Sequence, residues 1–327
     1  MLSKFSRKYK KIKKHITSGL LSYYLPGRFD ESKVFVLTSS PRSGSTLLGQ
    51  ILDEIPQSCP LFEPLQLNYV PEAKSAGFSW RTYVHPEQEW NAGKKFFHKI
   101  FEGRIINSWT TMEMSLTKAI KANCMVVKFV RANRLLPWLC NNFTIPKPIL
   151  LLRHPCGVVA SQLNYDHAWS DIQRPEIPEY IQQYPKFIEI IEEANSEIEF
   201  LTITWILDQL PVLLSETPER WLIITYEDLI LQPEKTLKCI SNQWKVNLNT
   251  EKALAKLHKP STVVSTSGIS GVNGWQKKLT KEQINTILNL VHAFGLSFYS
   301  KKENIDHSQL NDVEATQRII KQAGVGV

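Results

Sequence analysis

Val34-Phe35-Val36-Leu37-Thr38-Ser39-Ser40-Pro41-Arg42-Ser43-Gly44-Ser45-Thr46-Leu47-Leu48 is the stretch that decides the fold. Val34–Thr38 is a short β-rich apolar run. Thr46–Ile55 places Leu47, Leu48, Ile51 and Leu52 at helical spacing. A strand, a tight turn and a helix start in that order turn unpaired backbone N–H groups and the positive end of a helix dipole toward an anion. Gly44 lets the backbone close on a phosphate, Ser45 and Thr46 add hydroxyl donors, and Arg42 adds a fixed fork of charge.

The loop departs from the nucleotide-triphosphatase pattern G-x-x-x-x-G-K-[ST]. With Gly44 as the second glycine, Ser39 stands for the first and Ser45 for the lysine, and the cation moves to Arg42. Among the later strand ends, only Tyr226-Glu227-Asp228 offers an acid of the kind that holds Mg²⁺. The loop therefore reads as built for a phosphate-like group without a metal.

Outward from it the chain alternates strands and helices. Cys124–Val130, Pro148–Leu152 and Trp221–Thr225 are near-continuous apolar runs, as strands buried on both faces should be. Helices are expected near Met112–Lys121, Cys156–Gln162 and Phe200–Leu214, from Pro233, and from Thr280, where Thr280 and Gln283 form a capping box and Gly295 supplies the stop. The expected class is α/β: a P-loop-like three-layer fold with a central parallel sheet flanked by helices. Its 327 residues suit one domain of this kind, with an irregular insertion over Pro64–Trp109 (Phe78, Trp80, Tyr83, Phe96, Phe97) that forms an acceptor pocket. A second irregular stretch is Ala168–Tyr180.

The net charge of +8 is concentrated at one end. Residues 1–33 hold nine Lys/Arg and two acids, leaving +1 for the other 294 residues. Nucleic-acid binders spread their basic charge over a face of the fold, so this class is excluded. The expected organisation is a basic arm over 1–33, the catalytic domain over 34–300 and a C-terminal tail over 301–327. Five scattered cysteines without a C-x-x-C fit neither a zinc site nor a disulfide framework, and read as reduced thiols. No run approaches the ~20 apolar residues of a membrane span. The expected location is cytoplasmic. Lys4–Lys14 followed by Leu20, Leu21, Tyr23, Tyr24 and Leu25 reads either as a solvated tail or as a peripheral contact with an anionic membrane through residues 1–25.

A second anion site lies at Pro148-Ile149-Leu150-Leu151-Leu152-Arg153-His154-Pro155, where Arg153 ends a buried strand and Ser161 follows eight residues later in the next helix. Ligands of open parallel sheets bind at this edge.

The ordered set resembles the sulfotransferase family. Pro41-Arg42-Ser43-Gly44-Ser45-Thr46-Leu47-Leu48 is similar to its 5′-phosphosulfate loop. Arg153-His154-Pro155 with Ser161 is similar to its 3′-phosphate element. Tyr226-Glu227-Asp228-Leu229 with Pro233, and Gly274-Trp275 through Leu279, resemble its later signatures. The resemblance implies the donor 3′-phosphoadenosine 5′-phosphosulfate (PAPS), without a metal. It implies that Arg42, Ser43, Gly44, Ser45 and Thr46 hold the 5′-phosphosulfate, that Arg153 and Ser161 hold the 3′-phosphate, and that Tyr226 lies near the adenine.

The same resemblance frames the choice of base. Cytosolic small-molecule sulfotransferases place a histidine two residues after a lysine at a strand end; here the lysine matches Lys128, but the histidine position is Val130, which accepts no proton. Glu63, in Phe62-Glu63-Pro64, lies at the distance from Arg42 at which tyrosylprotein and many carbohydrate sulfotransferases carry a glutamate base. The expected catalytic set is Glu63, Lys128 and Arg42, with His154 as rival base. Arg131 and Arg134 are candidates to assist or to bind an acidic acceptor, and Ser265, Thr266, Ser267 and Gly268 a loop able to close over the donor. The resemblance is closer to the carbohydrate and tyrosylprotein type than to the steroid/phenol type, with a hydroxyl or amine acceptor such as a carbohydrate or glycolipid. A P-loop kinase or NTPase with a degenerate loop is the alternative reading.

Overall fold

Residue alternation along β1 (Val34–Ser39) fixes the layers. Val34 and Val36 point into one apolar cluster and Phe35 and Leu37 into another, so both faces of the strand are buried. The computed structural model describes residues 14–164, 172–257, 272–302, 304–310 and 319. β2 (Ser58–Phe62), β3 (Cys124–Val130), β4 (Ile149–Leu152) and β5 (Leu222–Thr225) complete a five-stranded sheet in the order β2-β3-β1-β4-β5. Every neighbouring pair is parallel. All the strand C-termini therefore share one edge, and β1, from which the order departs both ways, ends at its middle.

The helices are α1 (14–24), α2 (Ser45–Leu52), α3 (Pro71–Ser75), α4 (Asn91–Phe101), α5 (Leu116–Lys121), α6 (Leu136–Asn142), α7 (Pro155–Leu163), α8 (Pro185–Glu193), α9 (Glu197–Leu213), α10 (Tyr226–Leu231), α11 (Pro233–Trp244), α12 (Thr250–Leu257), α13 (Lys281–Ala293) and α14 (His307–Leu310). α2, α10, α11 and α12 cover the Phe35/Leu37 face, where Phe35 stacks on Trp244 with ring centroids 4.7 Å apart. α4, α6, α7, α8, α9 and α13 cover the other, together with Leu21, Leu25 and Phe29. This is the P-loop-like three-layer α/β fold expected from the sequence.

Three local expectations change. β2 is a fifth strand that the pattern hid, because Pro60 interrupts a five-residue run; a proline without an N–H is tolerated here because β2 is an edge strand. The helix expected from Met112 begins at Leu116. The Pro64–Trp109 stretch is not simply irregular: it forms α3 and α4, and Phe78, Phe96 and Phe97 are buried in the core. Phe97 packs against Phe101, Phe129, Trp138 and Phe143, so most of these aromatics fill the protein instead of lining a pocket.

Beneath the β1 turn, α9 brings Asp208 and Gln209 into a buried polar knot. Thr38 Oγ1 donates to Asn133 Oδ1 at 2.8 Å, Gln209 Nε2 to Ser40 Oγ at 2.8 Å, and Ser40 Oγ to Asp208 Oδ2 at 3.3 Å. Asp208 Oδ1 takes Arg134 Nε at 3.0 Å and Arg81 Nε at 3.4 Å. Arg134 thus has an internal structural partner, which removes it from the acceptor-binding candidates. Removing one partner of a buried pair leaves the other charge uncompensated. Asp208→Ala should therefore cost about 3–5 kcal/mol in denaturant unfolding; a loss under about 1 kcal/mol, the worth of an exposed pair, would contradict this account of the knot.

Candidate active site at the strand C-termini

The β1–α2 turn, where the sequence places an anion site, has a tightly defined backbone. Ser43 N donates to Ser40 O at 3.2 Å, and the backbone then enters the left-handed region at Arg42 (φ 72°) and Gly44 (φ 95°). Gly44 is required twice over: its φ disfavours other residues, and a Cβ there would lie 2.5 Å from a Tyr226 ring carbon. α2 begins with no side-chain cap and no acid in its first turn. Its leading N–H groups are thus left for a ligand, with Ser45 and Thr46 beside them. An anionic group fits this donor set.

The segment carrying Arg153 and Ser161 is fastened directly to that turn. Arg153 Nη1 donates to the Arg42 carbonyl at 2.8 Å, Arg42 Nε to Ser161 Oγ at 3.0 Å, and Gln162 Nε2 to the Pro41 carbonyl at 3.1 Å. Arg153 lies over Tyr226, its guanidinium carbon 4.4 Å from the ring centroid, and a Cβ at Gly157 would come within 3.1 Å of its Nε. Arg42, Ser161, Arg153, Gly44 and Tyr226 thus form one continuous surface across β1, β4 and β5. Arg42 reaches the Ser161 element as well as its own loop, a link that sequence spacing does not reveal. Tyr226 packs on the glycine of the turn.

Lys128 and Glu63 meet on the other side of β1. β2 and β3 pair Phe62 with Lys128, so the residue after β2 falls beside the lysine. Lys128 is only 3% exposed. Its Nζ lies 3.0 Å from Glu63 Oε1, 3.3 Å from Thr46 Oγ1 and 3.7 Å from the Phe62 ring centroid. Glu63 is held at φ 40°, its N–H donating to the Lys128 carbonyl at 2.8 Å and its carbonyl accepting from Trp109 Nε1 at 3.3 Å. The sequence reading missed Glu113, whose carboxyl is raised above its ordinary range by burial and feels both Lys128 and Glu63. No motif marks it, because the turn before α5 alone brings it there. Arg131, also left-handed (φ 75°), follows β3 with its guanidinium carbon 4.9 Å from the Trp80 ring centroid.

His154 does not serve as the rival base. Its Nδ1 accepts from Cys156 N at 3.2 Å, which assigns the proton to Nε2, and that nitrogen meets the Ser300 carbonyl at 2.8 Å. Burial pulls its pKa down to about 4. It stacks on Trp275 with centroids 4.5 Å apart, so both residues are anchors of the α7 start. His85 is exposed, and His98 pairs with Glu31 at 3.2 Å. Ser265, Thr266, Ser267 and Gly268 lie outside the described residues.

Glu227 completes the anchor. Its Oε1 accepts from His154 N at 3.0 Å and its Oε2 from Tyr299 Oη at 3.4 Å. Full burial pushes its carboxyl up to about 7 from an ordinary 4.5. A raised carboxyl binds its proton more tightly in the folded state, so its contribution falls as pH rises from about 4.5 to 7. His154 acts oppositely, losing stability as pH falls from 6.5 through about 4. Glu227→Gln removes only the first effect. Its melting temperature relative to wild type should therefore be more favourable at about pH 8 than at about pH 5; a difference that does not vary with pH would contradict the buried carboxyl's role.

A family model described as the sulfotransferase family matches residues 34–249. Among solved structures, a sulfotransferase domain from the Synechococcus PCC 7002 olefin synthase aligns at 17% identity, covering 91% of this chain and 90% of its own, with a TM-score of 0.37. A sulfotransferase domain from the curacin biosynthetic pathway aligns at 19% over 93% and 99%, with a TM-score of 0.39. A mouse sulfotransferase complexed with PAP aligns at 14% over 83% and 86%, with a TM-score of 0.41. No curated protein matches the sequence.

Proposed function

The chain belongs to the sulfotransferase family, and we propose that it transfers a sulfuryl group from PAPS to a hydroxyl, or an amine, of an acceptor with Glu63 as general base. The observation that carries this reading is the placement of Lys128 Nζ between Glu63 Oε1 at 3.0 Å and the Thr46 hydroxyl at 3.3 Å. A carboxylate, a cation and the anion-binding turn thereby meet at one point of the sheet edge.

The donor supplies the sulfuryl group. The β1–α2 turn, from Arg42 to Thr46, holds its 5′ end through N–H groups, hydroxyls and the Arg42 guanidinium. Arg153 and Ser161 hold its 3′-phosphate, and Tyr226 borders the adenine. The acceptor oxygen forms a bond to sulfur as the bond from sulfur to the 5′-phosphate oxygen breaks. Glu63 takes the acceptor proton, and Lys128 neutralises charge growing on the departing oxygen. The acceptor is proposed to be a carbohydrate or glycolipid, as in the carbohydrate type of the family. Trp80, partly exposed beside Arg131, offers such an acceptor an aromatic face. Two anion sites on one surface favour a nucleotide with phosphates at both ends.

The test is transfer of label from ³⁵S-PAPS to a panel of monosaccharides, glycolipids and phenols. Glu63→Gln should lower kcat about 10²–10⁴-fold with the donor KM little changed, as expected for loss of a positioned base. Lys128→Ala should lower kcat comparably. Unchanged turnover in Glu63→Gln would overturn the assignment of the base.

A further inference from the structure

Helix α1 has two opposed apolar faces, and the fold uses only one. Ser18, Leu21 and, just past the helix end, Leu25 are buried, and the two leucines, fully so, belong to the core cluster that also takes in α4. Ile16, Leu20, Tyr23 and Tyr24 point the other way and are 60%, 44%, 84% and 48% exposed. At 100° per residue Ile16, Leu20 and Tyr23 fall within one narrow stripe, and Tyr24 borders it. Exposed large apolar side chains elsewhere in the described residues stand mostly apart, at Tyr69, Trp80, Met112, Ile120 and Leu231. Single exposed residues need no explanation, whereas a contiguous stripe on one helix does.

The adjoining sequence says what covers the stripe. Residues 4–14 carry seven Lys/Arg, and no Asp or Glu occurs before Asp30. Arg28 donates to the Ile120 carbonyl at 2.5 Å, which sets α5, with Ile120 exposed and Lys121 at its end, beside this segment; Lys118 on the same helix is paired with Asp53. We propose that α1 docks the protein on an anionic lipid bilayer. Its Ile16/Leu20/Tyr23/Tyr24 face would enter the headgroup boundary and the preceding basic run would lie over the anionic headgroups.

Three physical points favour that occupant. An apolar stripe flanked by Lys/Arg is the pattern of helices that lie in the interfacial plane, where Tyr is at home with its apolar ring and polar hydroxyl. A second copy of the chain is disfavoured because one short helix face falls well below the roughly 800 Å² per partner of a stable interface. A polyanion such as nucleic acid would satisfy the charges and leave the apolar stripe in water. No helix among the described residues is long and apolar enough to cross a membrane, so attachment through α1 is peripheral.

The test uses the full chain and sedimentation with vesicles of phosphatidylcholine alone or with a quarter phosphatidylserine. Binding should require phosphatidylserine and weaken as salt is raised, since the Debye length shrinks from about 10 Å at 0.1 M. Leu20→Ser with Tyr23→Ser should weaken it about tenfold or more, because two side chains lose their burial. Gln at Lys10, Lys11, Lys13 and Lys14 should weaken it about a hundredfold or more. Both variants should bind 3′-phosphoadenosine 5′-phosphate (PAP) like wild type, which shows that they fold and separates this result from the fate of the sulfotransferase reaction. Equal binding to both vesicles, none to either, or full binding by the Leu20/Tyr23 variant would overturn the proposal. A concentration-dependent dimer in analytical ultracentrifugation, abolished by the same two substitutions, would also overturn it in favour of a second copy.

Discussion

The Arg153 guanidinium donating to the Arg42 carbonyl is the contact on which the site's shape depends. It ties the turn after β1 to the turn after β4, across two neighbouring strands. Arg42 closes the circuit through Ser161, and Tyr226 seals it against Gly44. Each partner has a reason to be fixed. α7 is pinned to the Pro41 carbonyl by Gln162, Arg153 is sandwiched between Tyr226 and the small Gly157, and the left-handed backbone at Arg42 and Gly44 leaves the turn one conformation. Preorganised donors of this kind lose little freedom on binding an anion, which is why they suit charge stabilisation.

Two buried polar knots hold this surface at the correct height above the sheet. On one side Asp208 gathers Arg134, Arg81 and Ser40 beneath the β1 turn. On the other, Glu227 receives the His154 N–H and the Tyr299 hydroxyl, and so ties the α7 start to β5 and to the segment after α13. Such knots are costly to bury without partners, and in the first Arg81 Nε faces Asp208 as an ion pair and not as a hydrogen bond. They fix the ends of β1 and β4, and the ion pair of Lys128 with Glu63 then follows from the β2–β3 register.

Much of this was legible in the sequence. A strand, a Ser/Gly turn and a helix start gave the β1–α2 turn by local chemistry, and the Arg153 and Ser161 element picked out beside it does meet that turn. Near-continuous apolar runs told which strands are buried on both faces. β2 escaped notice because Pro60 breaks its pattern, and with it went the reason that Glu63 is next to Lys128, a matter of register and not of spacing. Phe78, Phe96 and Phe97 were misassigned to a pocket because composition does not distinguish an aromatic that fills a core from one that lines a cavity. Glu113 and Asp208 carry no motif at all; only the tertiary fold brings them to Lys128 and Arg134. The two faces of α1 were equally hidden, since its leucines and tyrosines look alike until the core takes Leu21 and Leu25 and leaves Leu20 and Tyr23 outside.

The proposed function requires that one surface across β1, β4 and β5 bind a nucleotide carrying phosphates at both its 5′ and 3′ positions. Calorimetric titration of the chain with PAP in metal-free buffer, alongside ATP with Mg²⁺, measures this directly. The account predicts that PAP binds without metal, that ATP with Mg²⁺ binds far more weakly, and that Arg42→Ala and Arg153→Ala each abolish PAP binding. Preference for ATP with Mg²⁺, or PAP binding indifferent to both arginines, would contradict it and return the chain to the phosphate-loop kinases and NTPases.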